Sequence, residues 1–284
     1  SSTRGLMIGG DTGVGTGSNV IDFITLVTAG NATDFGDASG NRTSSAALSS
    51  STKAIVAGGN NNGSQTNIIE SVTIASAGNA TDFGDQASVQ SNALPSLPSA
   101  GNTGLMTSSG SDSFIESVDI ATLGNSVEFG DISYTSTNGS FGGASSSTRM
   151  CVAGGTSNSN NIDLTIFATR GKGTDFGDLT EGDVATGSSN STRGLFSVGG
   201  DSNTIDYITI ASAGNATDFG NLYAAVSNPA MAGNTTRMLF MGGDKGSGSP
   251  RYVNEIGYVT ISSTGNTTDF GDMIQTVGYG QATS

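Results

Sequence analysis

The side chains of this chain that could carry out chemistry are mainly carboxylates, and they recur in three columns. Asp22, Glu70, Glu116, Asp163 and Asp206 begin β-branched runs. Asp34, Asp82, Glu128, Asp175, Asp218 and Asp269 open a phrase of the form Thr-Asp-Phe-Gly-Asp, and Asp37, Asp85, Asp131, Asp178 and Asp272 close it. A carboxylate pair could hydrolyse a glycoside, and oxygen-only clusters could hold structural Ca²⁺. An active site should break the symmetry of a repeat, whereas nearly all of these acids obey it. No dense Asp-x-Asp-x-Asp-Gly loop occurs, so turn capping is the expected role of the Asp22 and Asp37 columns. Structural calcium is the alternative, and no other metal or cofactor is expected. The chain has no histidine, which excludes Ser-His-acid and Cys-His machinery and every imidazole metal site. The single cysteine, Cys151, lies in the apolar run Met150-Cys151-Val152-Ala153 and reads as a core thiol. A binding or structural module is expected, not an enzyme.

Half of the 10 Lys and Arg residues form one further column, Arg4, Lys53, Arg149, Arg193 and Arg237, with Thr103-Gly104 as the exception. It lies near the same end of the repeat as the Asp34 column, so charge-assisted pairing between the two is expected in preference to an anion-binding ring. Asn31, Asn79 and Asn215 in Asn-Ala-Thr, and Asn266 in Asn-Thr-Thr, match a glycosylation pattern. Their shared Gly-Asn turn is sufficiently explained by the left-handed backbone such turns use. A formal net charge of -14 argues against nucleic acid and anionic bilayers as partners. No stretch approaches the ~18 apolar residues of a membrane span. No signal peptide is visible, and the start inside a repeat at Ser1-Ser2-Thr3-Arg4 suggests a processed or excised piece.

The elements that must position these columns follow from the period. The acid opening the recurring phrase returns at intervals averaging 47 residues, the length of a four-stranded propeller blade and about twice that of a β-helix coil. In the fifth repeat, small residues at Val184-Ala185-Thr186-Gly187-Ser188 lead through a polar turn into Arg193 to Val198 and Gly199-Gly200. The β-branched run Ile205 to Ala211 follows, and after Ser212-Ala213-Gly214-Asn215 comes a last strand through Phe219. With 44 Gly, 4 Pro and 12% charged residues, short strands joined by small-residue turns are favoured over helices. We therefore expect one all-β domain over residues 1–284, a six-bladed β-propeller with four antiparallel strands per blade. The repeats run approximately over 1–49, 50–99, 100–145, 146–189, 190–233 and 234–284. The tail from Met273 to Ser284 reads as a first strand that completes the opening blade and removes exposed edges.

Glycine pairs end the second strand in five repeats (Gly9-Gly10, Gly58-Gly59, Gly154-Gly155, Gly199-Gly200, Gly242-Gly243), and an aromatic anchors the fourth in all six. The chain thereby resembles the kelch family. It departs from that family by placing Phe35, Phe83, Phe129, Phe176, Phe219 and Phe270 where Trp is usual, and Ser109-Gly110 in the third repeat. The copper-radical oxidases that share the kelch fold need histidine and a Tyr-Cys pair, and six-bladed sialidases need an arginine cluster and Asp-box tryptophans; neither set is present. The stretch from Ile205 to Leu222 also resembles repeats in structural proteins of marine bacteriophages. That resemblance implies a virion or extracellular location and partners among other virion proteins or host-surface proteins and glycans. A lectin-like glycan binder is the alternative, and a carboxylate-dependent glycosidase a distant third.

In an up-and-down blade the turns joining strands one to two and three to four share one face, and the remaining connections share the other. The first face is monotonous. On the second, the spacer between the glycine pair and the third-strand Ile is 10, 9, 4, 6, 4 and 12 residues long. Binding chemistry usually resides in loops that diverge on a rigid scaffold, so this variable face is expected to bind. Its long loops, Asp11 to Val20, Asn60 to Ile68 and Asp244 to Glu255, carry the candidates Asp11, Asn60, Asn61, Asn62, Asp244, Lys245, Arg251 and Tyr252.

Overall fold

The computed structural model describes every residue except 2, 14–16, 91–100, 108–113, 135–140, 156–158, 183, 201 and 248. Blade 1 contains β1 (Arg4–Ile8), β2 (Ser18–Thr25) and β3 (Thr33–Arg42). Blade 2 contains β4 (Ala46–Ser49), β5 (Lys53–Ala57), the short β6 (Asn60–Asn61), β7 (Ser64–Thr73) and β8 (Thr81–Gln90). Blade 3 contains β9 (Thr103–Thr107), β10 (Phe114–Asp119) and β11 (Val127–Asp131). Its expected Ser109-Gly110 lies outside the described residues. Blade 4 is β12 (Phe141–Ser145), β13 (Arg149–Gly154), β14 (Asn161–Ile166) and β15 (Thr174–Asp178). Blade 5 is β16 (Val184–Ser189), β17 (Arg193–Val198), β18 (Thr204–Thr209) and β19 (Thr217–Asn221). Blade 6 is β20 (Ala230–Gly233), β21 (Arg237–Met241), β22 (Val253–Thr260) and β23 (Thr268–Val277). The last strand, β24 (Gln281–Thr283), returns to blade 1 and pairs antiparallel with β1 through Leu6 and Thr283, Met7 and Ala282, and Ile8 and Gln281. The fold is thus a six-bladed β-propeller closed by its C-terminal strand. The closing strand is shorter than the sequence suggests, because Met273 to Val277 extend the fourth strand of blade 6.

Small residues on the innermost strands let the blades converge. A Cβ on Gly142 would lie 2.8 Å from a Phe196 ring carbon, and one on Gly187 would lie 2.8 Å from the Gly143 nitrogen. Larger side chains at these positions would push the first strands of blades 4 and 5 apart. Between blades, apolar faces meet in shared clusters: Phe35 of blade 1 packs with Leu6, Ile8 and Ile21 and with Ala54, Val56, Val72 and Ile74 of blade 2. All six fourth-strand phenylalanines are buried, each contributing roughly 1.5–3 kcal/mol by removal from water. Each sits at a register shift, as where Ile21 pairs with Gly36 but Asp22 pairs with Asp34, so that Phe35 is the extra residue of a β-bulge.

The outer edge of every blade is covered by its neighbour. The Gly78 N–H donates to the Phe35 carbonyl at 2.8 Å, the Ala80 N–H to the Asp37 carbonyl at 2.8 Å, and the Asp37 N–H to Asn79 Oδ1 at 3.1 Å. The equivalent backbone bonds recur at all six junctions, from Gly30 to Phe270 O round to Gly265 to Phe219 O. The asparagines of the glycosylation-like triplets therefore act as edge clamps: Asn31, Asn215 and Asn266 accept from the N–H groups of Asp272, Asp178 and Asn221. This contact also explains the glycine after each phenylalanine. A Cβ on Gly36, whose φ is +149°, would lie 2.5 Å from the Gly78 carbonyl oxygen.

Candidate functional site

The basic column does not pair with the Asp34 column. Arg4 donates through Nη1 to the carbonyls of Ile74 and Ala75, both at 2.9 Å, and its guanidinium lies 5.1 Å from the Phe23 ring centroid. Arg149 reaches the carbonyls of Ile210 and Ala211, Arg193 that of Ile261, and Arg237 those of Leu26 and Val27. Arg193 and Arg237 also cover Tyr207 and Tyr258 at 4.8 and 4.9 Å. Lys53 follows the same rule over Phe83 at 5.7 Å, its Nζ donating to the Ala121 carbonyl. Each cation thus joins its blade to the next by carbonyl bonds, in most cases with an aromatic face beneath it. Asp34, Asp82, Glu128, Asp175, Asp218 and Asp269 remain exposed, where ion pairing gains little.

The third-strand acids are not turn caps. They are buried, and most bind the residue four places after the phenylalanine of the preceding blade. Asp163 accepts from the backbone N–H and the hydroxyl of Ser133, the latter at 2.7 Å, and Asp206 accepts from both groups of Thr180. Glu70 accepts from the Ser39 N–H at 2.9 Å, and Asp22 from the Ile274 backbone. Glu116 does so through Ser126, whose hydroxyl bridges it to the Ala87 N–H. In blade 6 the acid is replaced by Gly257, and Tyr223 occupies its space, a Gly257 Cβ lying 2.7 Å from the tyrosine ring. Sequence reasoning missed Arg42, which is buried and forms a 2.7 Å ion pair with Glu70. Its only signal was a cation seven residues after the phenylalanine, where no other repeat has one.

Burial raises Asp22 to about 6, and the charge of Asp34 adds to the shift against the Ile274 hydrogen bond. Asp206 is also raised, by burial first, against its Thr180 bonds. Burial pushes the Cys151 thiol up to about 12, so it is not a thiolate nucleophile at neutral pH.

On the variable face the long loops meet around the closure. Tyr252 donates its hydroxyl to Asp11 at 2.9 Å, and its ring meets Tyr279 edge-on at 6.4 Å. Tyr279 donates to Asp244 at 3.1 Å, and Arg251 forks onto the same carboxylate through Nε at 2.9 Å and Nη2 at 2.6 Å. Burial opposes ionisation of Asp244, but the bonds from Arg251, the Gly246 N–H and Tyr279 together hold it below the usual carboxylate range. Further round, the Ser44 N–H donates to the Tyr279 carbonyl, Thr43 and Asn60 exchange backbone bonds, and Asn41 donates to Asn62 at 2.8 Å. The predicted residues are thus brought into one belt from blade 6 through blade 1 to blade 2. Asp244 and Tyr252 are buried within it, Asp11, Asn60 and Asn61 are partly covered, and Asn62, Lys245 and Arg251 face solvent. Tyr279, which organises the belt, was not singled out by sequence reasoning because nothing local marks it as a loop anchor.

The opposite face holds a second feature. A cavity of about 330 Å³ opens where the innermost strands end, rimmed by Ser49, Ser145, Ser189, Asn234 and Thr283 among others. Hydroxyls there already link blades: Ser189 Oγ donates to the Ser145 carbonyl and accepts its N–H. Among the described residues no three acidic or thiol side chains gather in a group able to hold a metal ion. Neither a protein-family model nor a curated protein sequence matches the chain.

Proposed function

We propose that this chain is a non-enzymatic binding module, a tail, fibre or capsid-associated component of a phage virion that contacts a host surface or a neighbouring protein. The observation that carries this reading is the division of labour among its polar residues. The repeated Arg and Lys, the third-strand acids and the turn asparagines join blade to blade, while loop length diverges on one face. A ring so tied is a rigid platform, and the exposed Lys245, Arg251 and Asn62 stand on it at fixed spacing. Replacing the exposed Asn62 and Lys245 with alanine, with the buried Asp244 and Tyr252 left in place, should weaken attachment of the parent particle or capture of its partner while the ring stays folded. Undiminished attachment overturns the variable-face assignment, and failure of the chain to copurify with particles from its source overturns the virion assignment.

A lectin-like reading is favoured by one specific feature, the hydroxyl- and amide-rimmed axial cavity, whose groups suit the hydroxyls of a sugar. A glycan array probed with the chain separates the two readings. Retention of one glycan class, lost when Ser145 and Ser189 are replaced by alanine, supports the second.

A further inference from the structure

We infer that the junction of blades 3 and 4 is a receptor slot for a basic side chain, arginine or lysine, of a partner protein. At five positions of the ring a resident cation fills this junction and donates to backbone carbonyls of the next blade. In blade 3 the position is held by Thr103, which is exposed. The carbonyls that a cation would reach there, matching those of Ile74 and Ala75 or Ile210 and Ala211, belong to Phe167 and Ala168. Both residues line a cavity of about 490 Å³, together with Thr103, Ser117, Asp119 and Phe129.

Three departures from the repeat converge on this place. Asp119 pairs in register with Thr103, where the other blades have Thr25, Thr73, Ile166, Thr209 and Thr260. A carboxylate therefore appears in the one blade that lacks the cation. Phe167 replaces the aliphatic residues Leu26, Ile74, Ile120, Ile210 and Ile261 of the other repeats. Blade 2 supplies the template for the occupant, because its third strand also carries serine, Ser71, and there Lys53 lies over the fourth-strand Phe83. Ser117 and Phe129 are the corresponding pair in blade 3. Arg170 also lines the cavity, but its Nη1 is bonded to the Glu128 carbonyl at 3.1 Å. An incoming guanidinium or ammonium would thus find two carbonyls, a carboxylate and aromatic faces, a combination that selects charge and donors together. The protein's net charge of -14 favours encounter with a basic partner. The slot lies on the face opposite the long loops and does not depend on the reading of those loops.

The test uses the full chain and three small probes, N-acetylarginine amide, N-acetyllysine amide and the neutral isostere N-acetylcitrulline amide, titrated by NMR. Saturable shifts confined to residues around Asp119, Phe129 and Phe167 are expected for the arginine and lysine probes, with citrulline at least about tenfold weaker, a difference of ~1.4 kcal/mol. Thr103→Arg should supply the missing cation internally, abolish the shifts and raise the melting temperature by roughly 2 °C. Asp119→Asn should weaken the basic probes without affecting citrulline, and it serves if the arginine variant misfolds. Equal binding of citrulline, binding unaffected by both substitutions, or no saturable binding overturns the proposal.

Discussion

At the scale of single residues, the polar groups are specialised by what surrounds them. Asp22 and Glu70 occupy the same repeat position, yet Glu70 meets the buried guanidinium of Arg42 at 2.7 Å, whereas Asp22 has one oxygen without a partner. Burial raises Asp22 from 3.8 to about 6, so the folded state holds its proton more tightly than the unfolded chain. Stability from this group is complete below pH ~4 and is lost as pH rises through about 6. Urea midpoints measured from pH 4 to 7 should therefore show a component of about 1–3 kcal/mol that declines with pH. Asp22→Asn should remove that component, and an unchanged pH profile in the variant would refute the assignment. The cation column teaches a related lesson. Arg193 and Asp218 carry complementary charges near one end of a blade, but the guanidinium gains more from a carbonyl and a tyrosine face than from a solvated carboxylate.

At the scale of elements, the turn between the third and fourth strands is the part that does most to make a blade stick to its neighbour. It covers an otherwise open strand edge with two backbone bonds and, at five junctions, an asparagine clamp, and the glycine opposite lets it come close. Gly84→Ala should accordingly be severe, since its Cβ would lie 2.4 Å from the Gly124 carbonyl oxygen. A loss of about 2–4 kcal/mol in chemical denaturation is expected. Gly78→Ala is the control. Its φ is similar, but nothing lies within 4 Å of the new methyl, so only the backbone cost of ~1 kcal/mol should appear. Equal losses in both variants would show that close approach is not the reason for the glycine.

At the scale of the whole molecule, the last strand closes the ring non-covalently. The hydrogen bonds of β24 to β1 and the belt through Tyr252, Asp11, Tyr279 and Asp244 tie blade 6 to blade 1. Removal of residues 273–284 takes away the closing strand, Tyr279 and part of the sixth edge together. The truncated chain should fail to give a cooperative, monodisperse species by calorimetry and size-exclusion chromatography. A soluble and cooperatively melting truncation would mean that closure is not required for stability.

The period, the number of blades, the strand order and the place of the buried phenylalanines were legible in the sequence, because they depend on local alternation, turn chemistry and spacing. The gathering of Asp11, Asp244, Arg251 and Tyr252 was legible in part, through loop length, but their burial was not. The partners of the polar columns were not legible at all. Asp206 and Thr180, or Arg4 and Ala75, meet across a junction whose geometry is fixed only when all the blades pack into a ring. A repeat alone shows which residues recur; the curvature of the closed ring decides which of them touch. For that reason the sequence determined a six-bladed propeller with one divergent face. Only the tertiary structure showed that the repeated cations and the buried third-strand acids join the blades, and which carbonyls the missing cation of the third repeat would have reached.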